Sequence, residues 1–270
     1  MSFDPYSIQL PVTEIIDDVR QHLSNANTLI VNAPPGAGKS TLLPLALLNE
    51  PWLEGKKILM LEPRRLAART IAERLSYFLG EPVGQTVGFR IRFENRTSEK
   101  TKIEVLTEGI LTRMIQSDNA LENVGLVIFD EFHERSIHAD VALALCREAQ
   151  QVLRTDLRIM VMSATLNMPQ LTSLLKAPAV ISKGKQYPVD VRYENDIDEF
   201  LMAELCARTV IKAAKSNEGD ILIFLPGQRE IHTANEILRK ELRGFSIHML
   251  YGSLPQSSFG YLYCRNQFDH

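Results

Sequence analysis

Thr28 to Leu48 read TLIVNAPPGAGKSTLLPLALL. The stretch has three textures. Thr28 to Ala33 is a short, nearly unbroken apolar run of strand length, Thr41 to Leu48 is apolar at helical length, and a Pro/Gly-rich turn ending in Lys-Ser-Thr lies between them. Strand, glycine loop and helix in that order are the setting of a phosphate-binding loop. The backbone N–H groups of Gly36, Ala37, Gly38 and Lys39 are expected to face phosphate oxygens at the positive end of the helix, over a cradle running from Pro35 to Thr41. Lys39 would reach the β and γ phosphates, and the Ser40 hydroxyl would hold Mg2+. The strict pattern opens with glycine where this chain has Ala33, which is tolerable if the φ of Ala33 is negative. A chance Gly/Pro turn before Lys-Ser-Thr is the competing reading, and it leaves the flanking strand and helix unexplained.

Working outward, the same texture recurs. Apolar runs at Lys57 to Glu62, Thr86 to Ile91, Ile103 to Thr107, Gly125 to Asp130 and Arg158 to Ser163 predict strands covered on both faces. Helical patterns at Leu66 to Leu79, Gly109 to Gln116, Ala139 to Val152 and Met168 to Leu175 alternate with them. Such alternation predicts βαβ units, an α/β fold and a mostly parallel sheet. The rhythm changes near Lys183 to Pro188, giving a first domain over 1–185. A second series follows: helix Glu199 to Lys215, strand Asp220 to Leu225, helix Gln228 to Leu242 and strand Ser246 to Tyr251. Two βα repeats are too few for a doubly wound domain, so 186–256 reads as an incomplete second domain and 257–270 as an irregular tail.

VIFDEFHERS, Val127 to Ser136, places adjacent carboxylates directly behind an apolar run. A magnesium nucleotide needs one carboxylate near the loop hydroxyl for the metal and a second group to orient the attacking water. A strand neighbouring the Thr28 strand would supply both from its carboxyl end, where open α/β sheets place their ligands. Asp130 is assigned to the metal and Glu131 to the water. His133 has two readings from spacing alone: facing the γ-phosphate side, or bonding a polar strand end such as Ser163 and Thr165 of the Met162 to Leu166 stretch, MSATL. Polar strand ends are also ordinary helix caps.

Bulk properties exclude more than they assign. With 270 residues and 45% hydrophobic content the chain can bury a full core. Three well-separated cysteines, Cys146, Cys206 and Cys264, form no CxxC pair, which argues against a disulfide framework or a zinc site. No apolar run approaches the length of a membrane span, about eighteen residues, and Met1 to Leu10 lacks the layout of a signal peptide, so a cytoplasmic setting without membrane partners is expected. A net charge of −3 gives no global attraction to nucleic acid, so such binding would need a local basic patch. Nothing here indicates an oligomeric state.

APPGAGKST, EPRRLAAR, VLTEGILTRMI, FDEFHERS, MSATL and ILIFLPGQREI stand in the order of six motifs of the DEAH-type superfamily 2 helicases, and LEPRRLAAR, TEGILTRMIQ and DEFHERS resemble the bacterial HrpB-type ATP-dependent helicases within it. The resemblance spans about residues 25 to 256. It implies two RecA-like domains, ATP and Mg2+ as cofactors, and single-stranded RNA or DNA as partner. By motif, Gly36, Gly38, Lys39, Ser40 and Thr41 would bind phosphate, and His133 would couple nucleotide state to Ser163 and Thr165. Arg74 would stack on the nucleotide base without reading its edge, while Arg64, Arg65 and Thr107 would contact the strand's backbone. Arginine at a helix start opposes the macrodipole, which favours a functional reason for Arg64 and Arg65. Arg90 and Arg92, two residues apart in VGFRIRFEN, share one strand face and either extend that basic track or form a solvent-facing edge. The family's fifth and sixth motifs, the last carrying arginine fingers, do not occur in these 270 residues. The resemblance therefore implies an N-terminal helicase fragment with weak turnover of its own. A nucleotide-switched clamp on nucleic acid is the rival reading. A small-molecule P-loop kinase would leave DEFH and SAT without a role.

Overall fold

A computed structural model describes residues 3–164, 168–184, 188–193 and 201–252. They fall into two compact units, Met1–Pro188 and Val189–His270.

In the first unit the apolar runs become strands within a residue of their expected bounds: β1 (Thr28–Asn32), β2 (Lys57–Glu62), β3 (Val87–Ile91), β5 (Ile103–Thr107), β6 (Val124–Phe129) and β7 (Arg158–Ser163). Two short strands, β4 (Glu94–Arg96) and β8 (Ala179–Ile181), complete an eight-stranded sheet of order β4-β3-β5-β2-β6-β7-β1-β8. Every pairing is parallel except β3 with β4. Both edges are short, and β4 is polar, which blunts them against pairing with other chains.

Alternation along the inner strands explains the layers. Leu29 and Val31 of β1 and Ile58 and Met60 of β2 enter a core shared with α1 (Ile16–Asn25), α2 (Lys39–Ala46) and α3 (Arg65–Leu79). Ile30, Leu59 and Leu61 point the other way, into a core with α4 (Glu108–Ser117), α5 (Ile137–Val152) and α6 (Met168–Leu175). With helices on both faces, all six residues of β6 are buried, and the run can be apolar without alternation. The helix α1 lies ahead of Thr28, where the run-by-run reading assigns no element; its buried Ile16, Val19 and Leu23 share one face at helical spacing.

Contrary to expectation, the strand ending at Asp130 is not the neighbour of β1, because β7 stands between them. The crossover from β1 to β2 leaves a gap two strands wide, β6 fills the place beside β2, and β7 takes the last one. Register keeps the ends level: Asn32 pairs with Ser163, Phe129 with Val161 and with Leu61, and Glu62 with Thr107. The helix after β1 and the helix after β7 lie on opposite faces, so a crevice opens at the carboxyl ends of these two strands.

The second unit contains α7 (Met202–Ser216) and α8 (Gln228–Glu241), packed through Ala207, Val210, Leu238 and Leu242. The start expected for α7, Glu199, lies outside the described residues. Asp220 to Leu225 and Ser246 to Tyr251, expected as strands, carry no ladder among the described residues, and Leu222 and Phe224 are exposed. An apolar run becomes a strand only with a partner for its backbone and a cover for its face. The expected boundary at 185–186 and the tail at 257–270 also lie outside the described residues. No described helix is long and apolar enough to cross a membrane.

Candidate functional site

The loop after β1 needs its glycines for geometry. Gly36 and Gly38 have φ of 76° and 89°, in the left-handed region that side chains disfavour. Ala33 is not among the positive-φ residues, so alanine suffices where the strict pattern has glycine, and its N–H donates to the Ser163 carbonyl at 3.0 Å. A Cβ on Gly36 would meet nothing within 4 Å, which leaves room for a phosphate to approach the backbone. One on Gly38 would lie 2.5 Å from Leu10 Cδ1. The segment before α1 thus braces the loop from outside, and the Val12 N–H also donates to the Ala37 carbonyl at 2.9 Å. Of the amides expected to face phosphate, that of Ala37 instead donates to the Pro34 carbonyl at 3.2 Å, closing the turn on itself. The Thr41 hydroxyl lies 3.4 Å from the Gly38 carbonyl.

Gly38→Ala is expected to cost about 1–2 kcal/mol of stability, the penalty for holding a side chain in the left-handed region. Adding Leu10→Ala removes the 2.5 Å approach but leaves the φ penalty and takes a side chain from the core edge, so the double variant should stay less stable than the parent. Thermal melts of the single and double variants check this, and a Gly38→Ala protein that melts like the parent would contradict it.

Lys39 follows β1 and Asp130 and Glu131 follow β6, yet they converge at the carboxyl ends of the sheet across the intervening β7. The Lys39 ammonium, on a residue only 4% exposed, lies 2.9 Å from Glu131 Oε1. Glu131 is held at φ 48°, an unfavourable value for a non-glycine residue, and its N–H donates to Asp130 Oδ1 at 2.8 Å. His133 follows on a 3-10 turn, Phe132–Glu134, that packs against β7. Its Nδ1 is 3.3 Å from Glu131 Oε2 but is not aligned for a hydrogen bond.

Sequence reasoning missed Glu62. It closes β2, and because Leu61 pairs with Phe129 it stands level with Asp130, both of them buried. Burial first, then the Asp130 charge, push the Glu62 carboxyl up to about 11, so it stays a neutral acid that can donate to Asp130. Burial also raises Asp130, while hydrogen bonds from Glu62 and Ser40 and the Lys39 charge oppose the rise. The available signal was a glutamate ending an otherwise buried run, ILMLE; the partner that gives it meaning is far away in sequence.

Four buried polar atoms at these strand ends lack hydrogen-bond partners: Glu62 Oε1, Asp130 Oδ2, His133 Nδ1 and Ser163 Oγ. Buried orphans are rare and mark a place for an absent ligand or water. The Ser40 hydroxyl and the Asp130 carboxylate are hard oxygen donors, which fits magnesium. Among the described residues, no group of three or more His, Cys, Asp or Glu could hold a metal by itself.

The other expected residues are placed unevenly. Ser163 is fully buried and His133 sits on the turn beside its strand, but no hydrogen bond joins them, and Thr165 lies outside the described residues. Thr107 ends β5 beside Glu62. Arg65 is exposed, whereas Arg64 pairs with Glu134 Oε1 at 2.9 Å. Arg74 lays its guanidinium over Phe78, 4.5 Å from the ring centroid. Arg90 does not stand on an open track: its guanidinium pairs at 2.8 Å with Glu104, a carboxylate 1% exposed that also lies 3.7 Å from the Lys57 ammonium. Nor does Arg92 share its strand face, since β3 ends at Ile91; Arg92 is exposed over the Phe93 ring.

A family model described as DEAD/DEAH box helicase matches residues 13–174. The ATP-dependent RNA helicase HrpB of Escherichia coli is 46% identical over 248 residues, which cover 91% of this chain and 30% of that protein. The ATP-dependent RNA helicase HrpA of Borreliella burgdorferi is 35% identical over 93% of this chain and 31% of its own length. A crystal structure of the E. coli DEAH/RHA helicase HrpB superposes with a TM-score of 0.86 at 45% identity, covering 93% of this chain and 32% of that one. The present chain thus spans about a third of the length of these relatives, and its sheet is of the RecA-like type.

Proposed function

The chain belongs to the DEAD/DEAH box helicase family, and from that premise we propose that it binds magnesium–ATP at the carboxyl ends of its central strands and hydrolyses it in response to single-stranded RNA. The convergence of Lys39, Asp130 and Glu131 beside four orphaned polar atoms carries this reading. RNA is the substrate class in the relatives' names.

In this reading the backbone from Pro35 to Thr41 cradles the phosphates, and Lys39 exchanges Glu131 for the β and γ oxygens. Ser40 and Asp130 hold magnesium, which when bound offsets charge on the phosphoryl oxygens. Glu131, released by Lys39, orients the attacking water and takes its proton. Burial keeps Asp130 and Glu62 away from bulk water, and a proton held on Glu62 would leave Asp130 as the member of the pair that takes the metal. His133 and Ser163 supply a pair of unsatisfied atoms through which nucleotide state reaches β7. Arg74 offers its guanidinium to the base, while Arg65, Arg64 and Thr107 meet the strand's phosphates through contacts that do not depend on sequence. The first unit is the nucleotide-binding domain, and the second begins another RecA-like domain. Work on ATP and RNA fits a cytoplasmic setting.

The test is phosphate release from magnesium–ATP with and without poly(U), with poly(dT) for comparison. Stimulation by poly(U) is the expected result. ATP-dependent capture of poly(U) without release would favour a nucleotide-switched clamp and overturn the hydrolytic half. Release indifferent to either polymer would overturn the nucleic-acid half.

A further inference from the structure

We propose that Glu134 is an internal competitor for Arg64: it occupies this arginine until a nucleic-acid phosphate displaces it, and so ties strand binding to the turn that carries Glu131. The inference rests on the reading of Arg64 as a backbone contact. Arg64 stands just before α3 and Glu134 ends the 3-10 turn after β6, yet the two are joined at 2.9 Å. Neighbouring strands β2 and β6 bring them together.

The strength of the pair suits exchange. The Arg64 side chain is 72% exposed and that of Glu134 33%, so solvent screens the attraction and the bond is weak. A phosphate that also releases counterions from the nucleic acid can replace it. Arg65, the next residue, is exposed and has no ion pair among the described residues, so the two arginines differ in what binding must displace.

The connection to the chemistry is short. The Glu134 N–H donates to the Glu131 carbonyl at 2.9 Å, and Glu131 holds a strained φ of 48° while its carboxylate faces Lys39. A turn anchored at one end by Arg64 and at the other by Lys39 has two positions available: anchored when no strand is bound, and free to reorient Glu131 when one is. Glu134 is thus a positioning residue that acts through Arg64 and through the backbone of Glu131.

The test is the affinity of the intact chain for a fluorescein-labelled oligo(U), read by anisotropy at low salt without nucleotide. Glu134→Gln, which keeps the shape and removes the competing charge, is expected to tighten binding about two- to fivefold. The same change should have no effect in an Arg64→Ala background and its full effect in an Arg65→Ala background. Equal tightening with and without Arg64 would show only general charge removal and overturn the proposal, as would unchanged or weakened binding in Glu134→Gln. If the parent chain fails to bind oligo(U) with or without magnesium–ATP, the reading of Arg64 falls and this proposal with it. Binding that ignores Glu134 leaves that reading standing and removes the proposal alone.

Discussion

Lys39→Ala is expected to weaken magnesium–nucleotide binding about ten- to hundredfold, the worth of a charge-assisted contact to phosphate, and to lower turnover roughly a hundred- to thousandfold. The reason lies in the company Lys39 keeps. Its ammonium is nearly buried, pairs with Glu131, and lowers the proton affinity of both Asp130 and Glu62. Without it three carboxylates share one pocket with no cation. Asp130 would then hold its proton more readily and bind metal less well, so the substitution removes a phosphate contact and weakens a metal ligand together. Nucleotide titration by fluorescence and phosphate release under saturating substrate separate the two losses. A nucleotide-dependent rise in melting temperature should also vanish in the variant. Turnover within about threefold of the parent would remove Lys39 from the mechanism.

The sequence shows this lysine plainly, because everything it needs is local: a strand of apolar residues, two glycines at left-handed positions, and a helix that begins at Lys39 itself. The six long strands are legible for the same reason, since a run such as VGLVIF can be buried only between two helical layers. Legibility ends where a property belongs to a pair. That β7 rather than β6 flanks β1 depends on the order in which crossovers fill the sheet. Arg90 looks like an open cation until Glu104 is seen beneath it on the adjacent strand. The runs at Asp220 and Ser246 are strand-like in composition and have no ladder among the described residues, whereas Glu94–Arg96 is unlike a strand in composition and pairs with β3. Glu62 is the most consequential case, because a glutamate at a strand end is ordinary until register sets it against Asp130.

Glu62 also gives the chain a stability that should fall with rising pH. In the unfolded chain its carboxyl titrates near 4.5, whereas in the folded chain burial and the Asp130 charge hold the proton up to about 11. Between those limits the unfolded state has released a proton that the folded state keeps, so each step up in pH favours unfolding. The contribution is complete below 4.5 and is lost as pH rises through about 11. A buried acid that stays neutral throughout lowers stability by roughly 3 kcal/mol between pH 6 and pH 8. Glu62→Gln keeps a donor toward Asp130 and cannot titrate, so its stability should decline less steeply, and its advantage over the parent should grow with pH. Denaturant midpoints of the two proteins at pH 6, 7 and 8 read this directly. Parallel curves would mean that Glu62 is ionised in the folded state and that the site carries another anionic ligand. Diverging curves would leave Asp130 and the Lys39-paired Glu131 as the carboxylates at these strand ends, so magnesium on Asp130 would need the nucleotide's own oxygens to complete its shell.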